Sequence, residues 1–287
     1  MSTASLDLSI LIVHTFETRL VRQTLRSLRR AAPRLNFEVI VIDNRPFTGM
    51  HEVLKAEFPA VRYTAMDRNR GFGSAMNTGL KLATGKYVLI FNPDIIVAPG
   101  SLETLFAYME SNQSVGLVGP RLNYPDGTLQ SSCYRFHELL IPVYRRTPLG
   151  RLPFAKRAID RFLMTDVDHS ITQPVDWLMG SALFTRRSVL DQVGPFDDRF
   201  FMYFEDTDLC RRFWLAGHQV IYHPVVSMVH YHRRASSDGN LLQQLLAPLT
   251  REHIKSALRY FRKYRGQSNP RHGQSELRPT SNNSTGT

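Results

Sequence analysis

The tightest constraint in this sequence is an alternation of two periods over roughly its first third. Leu8-Ser-Ile-Leu-Ile-Val13, Glu38-Val-Ile-Val-Ile-Asp43 and Tyr87-Val-Leu-Ile-Phe91 are short, nearly continuous apolar runs, the pattern of strands buried on both faces. Between them the apolar residues fall at helical spacing. Leu20, Thr24, Leu25 and Leu28 precede Pro33, a second piece lies near His51–Phe58, and a third, Gly73–Ala83, ends at Gly85. A short strand is expected at Val61–Thr64. Parallel neighbours can be joined only by long crossovers, so this order predicts an α/β fold, a mostly parallel central sheet with helices on both faces. Ligands of such sheets sit outside the C-terminal strand ends. Three tips there carry polar groups: Thr15–Thr18, Asp43-Asn44 and Asn92-Pro93-Asp94.

The chain has 287 residues, a size that one large domain can fill, and its apolar share of 43% is too high for a mainly disordered protein. Two cysteines, Cys133 and Cys210, with no CxxC spacing, fit a reducing compartment rather than a stapled secreted domain. No run approaches the ~18–20 apolar residues of a membrane span, and the first residues lack the basic region of a signal peptide. A cytoplasmic protein is therefore expected. Lys and Arg number 36 against 25 Asp and Glu, a net charge of +11, which favours an anionic partner: nucleic acid, acidic lipid or a phosphorylated small molecule. With no helix-turn-helix, zinc finger or RNA-binding aromatic motif, nucleic acid is not the expected partner.

Further along, a helix is expected over Ser101–Ser111 and a strand over Val115–Val118. From about 133 to 172 the pattern weakens, with seven Lys/Arg and prolines at 142, 148, 153 and, just beyond, 174, and this region reads as mobile or partner-facing. Order returns over Val175–Phe184, a helix Arg187–Val193, a helix from the acidic run Glu205–Asp208 to about Ala216, and a strand Gln219–Tyr222. Ile254, Leu258 and Phe261, with Ala257 and Tyr264 beside them, form an apolar stripe on a helix otherwise covered by Arg251, Lys255, Arg259, Arg262, Lys263 and Arg265. Such a basic amphipathic helix can lie on an anionic bilayer or pack on the domain. The polar, Pro/Ser/Asn/Gly-rich sequence after Gly266 reads as a disordered tail, 266–287.

Four clusters carry candidate chemistry. Asp94, on a turn stiffened by Pro93, suits a hard divalent cation shared with phosphate oxygens, or else only shapes the turn. Glu205-Asp206-Thr207-Asp208 follows the aromatic run Phe200-Phe-Met-Tyr-Phe204. Carboxylates crowded against aromatic surface acquire the raised pKa of a general base, while one of them could instead cap the following helix. His230-Tyr-His232-Arg-Arg234 offers imidazoles and guanidinium groups to a metal and a diphosphate. Asn69-Arg-Gly-Phe-Gly through Asn77 has glycines that admit close backbone approach and amides that could bond a base or ribose. It matches neither GxGxxG nor a P-loop.

In this order and spacing the segments resemble glycosyltransferase family 2, in its rhamnosyltransferase-like branch. The resemblance runs from about Leu8 to Ser237 and rests on Leu11-Ile-Val-His-Thr-Phe16, Val39-Ile-Val-Ile-Asp-Asn44, Asn69 to Asn77, Gly85-Lys-Tyr-Val-Leu-Ile-Phe-Asn-Pro-Asp94, Val175-Asp-Trp-Leu-Met-Gly180 and Phe196 to Arg212. It implies a GT-A fold with a Rossmann-like sheet in one domain, 1–265. Within it a nucleotide-sugar half spans about 1–120, an acceptor half 121–240 and the basic helix 241–265. By similarity, the Thr15 loop with Phe16 and Glu17, together with Asp43, Asn69, Gly71 and Asn77, holds the nucleoside, Asp43 reading the base N3–H. Asp94 matches the last acidic position of the metal motif, whose first is Asn92 here, and would bind Mg²⁺ or Mn²⁺. His230 or His232 matches the late histidine ligand. Asp206 or Glu205 matches the general base, and Asp176, Trp177 and Gly180 the sugar and acceptor side.

The resemblance further implies an inverting transfer, with dTDP-rhamnose as donor and a UDP-sugar as the alternative. The acceptor would be a glycan on a lipid diphosphate, which would hold the protein peripherally on the cytoplasmic face of the membrane. Two departures bear on the donor. Thr15-Phe16-Glu17 stands where the family usually has Thr-Tyr-Asn, and Asn92 leaves one carboxylate in the metal motif.

Overall fold

The computed structural model describes residues 6–31, 33–45, 49–145, 147–231 and 248–271. In chain order it begins β1 (Leu8–His14), α1 (Thr18–Ala31), β2 (Phe37–Asp43), α2 (Met50–Glu57), β3 (Arg62–Ala65), α3 (Phe72–Leu82) and β4 (Tyr87–Phe91). Then come β5 (Ile95–Ile96), α4 (Ser101–Ser111), β6 (Val115–Asn123), β7 (Leu129–Gln130), β8 (Cys133–Tyr134), α5 (Ile141–Tyr144), a 3-10 turn (Pro148–Arg151) and α6 (Pro153–Phe162). The remainder is β9 (Gln173–Pro174), β10 (Trp177–Leu178), β11 (Ala182–Arg186), α7 (Arg187–Val193), α8 (Glu205–Leu215), β12 (Gln219–His230) and α9 (Pro248–Lys263).

The main sheet runs β3-β2-β1-β4-β11-β6-β12-β5. β1 pairs in parallel with both β2 and β4, Ile12 lying beside Val41 on one side and Phe91 on the other. Because β2 and β3 step away from β1 in one direction and β4 returns on the other, the topological switch point falls between β1 and β4, where an open α/β sheet leaves a crevice. β11 runs antiparallel to both β4 and β6, so its entry, at Ser181-Ala182, reaches the same edge as the exit of β4.

Alternation along the strands fills two apolar layers, as period-2 geometry requires. Ile10, Ile12, Val39, Val41 and Leu89 pack with Leu25 and Leu28 of α1 and with Leu105 and Met109 of α4. Leu11, Val13, Ile40, Ile42 and Ile90 pack with Met76 and Leu80 of α3 and with Leu209 and Phe213 of α8. Most expected elements stand within a residue or two of their expected ends. The strand expected at Gln219–Tyr222 instead continues to His230, with a register shift between His223 and Ser227. Pro224 lies inside that shift, where a residue without an N–H is tolerated in a sheet.

Among its described residues, the region of weak pattern from 133 to 172 forms short helices and strands. Pro142, Pro148 and Pro153 each stand at the first or second position of a short helix, where the missing N–H costs nothing and φ is already helical. These prolines start helices rather than only breaking them.

The C-terminal helix corrects two expectations. α9 docks through Ala257, Tyr260 and Tyr264 onto Phe200 and Phe204, and Ser256 Oγ donates to Met202 O at 2.8 Å. Ile254 and Leu258 of the expected stripe are 43% and 64% exposed. The aromatic pair Tyr260/Tyr264 and a buried ion network set the helix phase, and these outweigh the aliphatic pair. The tail is also ordered as far as Arg271: the Arg211 guanidinium donates to Ser268 O at 2.8 Å and stacks 4.5 Å over the Tyr264 ring. Residues 272–287 lie outside the described residues. Among the described residues no helix is long and apolar enough to cross a membrane.

Candidate active site

The polar tips of β1, β2 and β4 meet at one edge because the three strands are parallel and in register. Asp43 ends β2, buried, with His14 Nδ1 3.0 Å from its Oδ1, the Tyr63 hydroxyl donating to Oδ2 at 3.0 Å and the Arg45 N–H to Oδ1 at 3.2 Å. Burial alone would push this carboxyl up, but the His14 and Tyr63 hydrogen bonds, the His14 charge and the Arg45 N–H outweigh it and hold Asp43 below the usual aspartate value. The same pairing, with burial, pushes Tyr63 up to about 12. Asp43 is thus kept as a carboxylate acceptor. On the next tip Thr15 is half-buried, and Phe16 and Glu17 are exposed. The Arg45 guanidinium lies 5.8 Å from the Phe16 ring centroid.

Asn69 and Gly71 join this edge through Asn44, whose Nδ2 donates to Asn69 Oδ1 at 3.0 Å and to Gly71 O at 3.2 Å. Gly71 has φ +87°, and a Cβ there would stand 2.0 Å from the Phe201 carbonyl oxygen. Its glycine is therefore required by the approach of the chain just before α8, not by a ligand. Asn77 differs from the expectation in a related way. Its Nδ2 donates to Phe196 O at 2.8 Å and Asp198 Oδ1 at 2.7 Å, and its Oδ1 accepts from Phe196 N at 2.9 Å. The amide ties α3 to the loop before α8.

Asn92 and Asp94 follow β4. The Asn92 N–H donates to Ser181 O at 2.8 Å, and Thr24 Oγ1 clamps the turn by donating to Pro93 O at 2.7 Å and Ile95 O at 2.9 Å. β12 returns antiparallel to β5, placing His230 beside Ile95. His230 Nε2 stands 3.1 Å from Asp94 Oδ1, although that buried oxygen takes no hydrogen bond. The other ring nitrogen, Nδ1, is 2.8 Å from Gln130 Oε1. An amide oxygen can only accept, so Nδ1 carries a proton and Nε2 is the ring atom that faces the Asp94 carboxylate. A carboxylate oxygen and an imidazole nitrogen side by side are atom types that suit a divalent cation. Among the described residues no third His, Cys, Asp or Glu joins them. His232 lies outside the described residues.

The N-cap residue of α8 is Phe204, which has no side-chain cap, while Asp206 takes up one first-turn N–H. Tyr203 and Phe204 both adopt left-handed backbone, φ 68° and 65°, a conformation that costs non-glycine residues of order 1–3 kcal/mol each, and so present Glu205 and Asp206 at the head of α8. Asp206 Oδ2 accepts from the Gly180 N–H at 2.9 Å and Oδ1 from the Thr207 N–H at 2.7 Å. Burial raises the Asp206 pKa, partly offset by those two N–H groups. Glu205 is raised well above its ordinary value by burial and then by the Asp206 charge, and its Oε2 takes no hydrogen bond. Of the two, Glu205 is raised the more strongly, so Asp206 gives up its proton first. Asp208 plays a different part. It is fully buried among Arg212 Nε at 2.9 Å, Lys263 Nζ at 2.5 Å and the Tyr264 hydroxyl at 2.8 Å, which fastens α9 to α8.

Two residues expected on the acceptor side, Asp176 and Trp177, make hydrogen bonds within the chain. Asp176 accepts from the Phe136 N–H at 2.8 Å, Asn269 Nδ2 at 3.0 Å and Arg271 Nη1 at 3.0 Å. Trp177 donates its indole N–H to Arg135 O at 2.9 Å and stacks on Tyr134 at 4.4 Å. Both are buried; Trp177 lies in β10, which pairs antiparallel with β8 in a second, two-stranded sheet, and Asp176 meets the C-terminal segment. Gly180 does reach the site, through Asp206. Three site residues, His14, Tyr63 and Gln130, do not stand out from sequence pattern. His14 was findable as the last residue of β1, one position before a polar tip; Tyr63 and Gln130 depend on contacts 20 and 100 residues away in sequence.

Residues 9–194 match the model of Glycosyl transferase family 2. The N-acetylglucosaminyl-diphospho-decaprenol L-rhamnosyltransferase of Mycobacterium tuberculosis is 30% identical over 220 residues, covering 70% of this chain and 68% of that protein. The rhamnosyltransferase WbbL of Escherichia coli K12 is 27% identical, covering 82% of this chain and 85% of that protein. Among solved structures, GalNAc-T7 with UDP, GalNAc and Mn²⁺ superposes with a TM-score of 0.63 at 16% identity, covering 90% of this chain and 48% of that one. A mannosyltransferase from Pyrobaculum calidifontis in complex with GDP-Man and Mn²⁺ gives a TM-score of 0.55 at 17% identity, over 95% and 79% of the two chains. At such identities the likeness shows the fold, which is GT-A.

Proposed function

We propose, from the premise that this chain belongs to glycosyl transferase family 2, that it is an inverting transferase moving L-rhamnose from dTDP-rhamnose onto a lipid-diphosphate-linked glycan. The observation that carries this reading is that the Asp43 carboxylate ends β2 and Asp94, beside His230, follows β4, the two strands that flank β1, with the buried Asp206 held by Gly180 just before β11. Asp43, Thr15, Phe16 and Asn69 hold the nucleoside, and Asp43 is an ionised acceptor suited to the N3–H of thymine or uracil. Asp94 and His230 would hold Mg²⁺ or Mn²⁺, which when bound supplies positive charge beside the donor diphosphate.

Asp206 is the base. Its carboxylate, oriented by the Gly180 and Thr207 N–H groups, takes the proton of the acceptor hydroxyl as that oxygen bonds to the anomeric carbon. The bond from that carbon to the diphosphate breaks at the same time, and the nucleoside diphosphate leaves with the electron pair. One base and no covalent intermediate invert the centre. Glu205, the more strongly raised of the pair, gives up its proton after Asp206. A lipid-linked acceptor agrees with the name of the mycobacterial relative. It also agrees with the exposed side of α9, where Ile254 and Leu258 stand among Arg251, Lys255 and Arg262, a composition suited to the acidic cytoplasmic face of a membrane.

Calorimetric titration with dTDP, UDP and GDP, each with and without Mn²⁺, tests the reading. Metal-dependent binding of dTDP, lost in Asp94→Ala, is expected. A preference for UDP would keep the transferase and replace the sugar, and no binding to any nucleotide would overturn the site.

A further inference from the structure

We propose that the segment 138–161 is a membrane-docking surface that seats an apolar edge in an anionic bilayer next to the base. This rests on the lipid-linked acceptor and concerns a surface other than the exposed side of α9. Leu139, Leu140, Val143, Leu149, Leu152 and Phe154 are 65%, 50%, 42%, 49%, 41% and 59% exposed. Six large apolar side chains turned to solvent within sixteen positions are far from the scattered single residues of an ordinary surface. The segment is not loose chain. Ile141, Ala155 and Phe162 are buried beneath it, Tyr144 packs edge-on to Phe154 at 5.9 Å, and the three prolines hold its helices short.

Charge selects the occupant. The 138–161 stretch carries six Lys/Arg against two Asp/Glu, and Arg151, Lys156 and Arg157 are exposed beside the apolar residues. Apolar tips ringed by cations complement acyl chains below a layer of anionic headgroups, with long basic side chains reaching the phosphates. A protein partner would not require so uniform a charge. Position supports the same occupant: the His137 ring lies 4.4 Å from that of Phe204, the residue before Glu205, so the surface starts where the glycan of a membrane-held lipid would enter.

The test uses the full-length protein carrying Leu140→Trp and vesicles of phosphatidylcholine with or without phosphatidylglycerol. The indole is expected to be quenched by lipids brominated in their acyl chains, and only when phosphatidylglycerol is present. Leu139→Glu with Phe154→Glu is expected to weaken vesicle binding by at least about tenfold while leaving nucleotide affinity unchanged. An unquenched indole, or binding that survives this double substitution and is lost only in Ile254→Ser/Leu258→Ser, would overturn the assignment in favour of α9. A dimer in solution that Leu139→Glu dissociates would assign the surface to a second copy instead. Failure of the lipid-linked acceptor reading looks different: vesicle binding and quenching intact, with no sugar transfer to a lipid diphosphate.

Discussion

His230 Nε2 lies 3.1 Å from Asp94 Oδ1, and its Nδ1 is held by Gln130 Oε1. Gln130 therefore fixes the ring orientation that turns Nε2 toward the carboxylate. Gln130→Ala should lower Mn²⁺ affinity about 10–100-fold, as loss of such an orienting partner does, with the fold unchanged. Tryptophan-quench or calorimetric titration of Mn²⁺ in the presence of nucleotide measures it; equal affinity would separate His230 from the metal.

The Glu205/Asp206 pair predicts opposite pH trends for activity and stability. Both carboxyls are raised, so kcat/KM should fall as pH drops through an apparent value above the ordinary aspartate range, when Asp206 takes up its proton. Groups raised on folding bind more protons in the native state, so their contribution to stability is complete below the unfolded pKa and is lost as pH rises through the folded value. Thermal unfolding of Glu205→Gln should accordingly lose less stability between mildly acidic and alkaline pH than the parent chain. A parallel slope in the two proteins would show that Glu205 does not titrate as described.

Asp206→Asn should reduce kcat by about 10²–10⁴-fold, the range for a general base, with nucleotide affinity unchanged. Glu205→Gln should reduce it far less. The reverse ranking in steady-state kinetics would make Glu205 the base.

Lys263→Met removes a cation from the fully buried Asp208 while Arg212 and Tyr264 remain. Because partners are left, the cost should be about 1–3 kcal/mol, below that of an abandoned buried charge. Denaturant unfolding gives the loss. Limited proteolysis should cut α9 first, since its attachment depends on that network.

Gly71→Ala places a Cβ against the Phe201 carbonyl at a positive φ. Both faults act on the joint between the Asn69 loop and the chain before α8, so a loss of about 2 kcal/mol or more is expected. Nucleotide affinity should fall with it. Unchanged melting would mean that Phe201 yields without consequence.

The local pattern of the sequence determined the sheet and much of its edge. Buried β-branched runs at Leu8–Val13, Glu38–Asp43 and Tyr87–Phe91 can only be interior strands, and once they are parallel, Thr15, Asp43 and Asp94 must share one end, because strand polarity is a property of backbone connection. Tertiary structure decided which of the polar residues near that end act there. Asp176, Trp177 and Asn77 looked like their neighbours in sequence, and only the fold shows their hydrogen bonds to Arg271, Arg135 and Phe196. Gln130 became a partner of His230, and α9 turned Ile254 and Leu258 outward, because contacts a hundred residues apart and the burial of Asp208 compete with local preference. Periodicity records which side of an element is apolar. Only packing settles which surface meets that side, and so what is left facing a ligand.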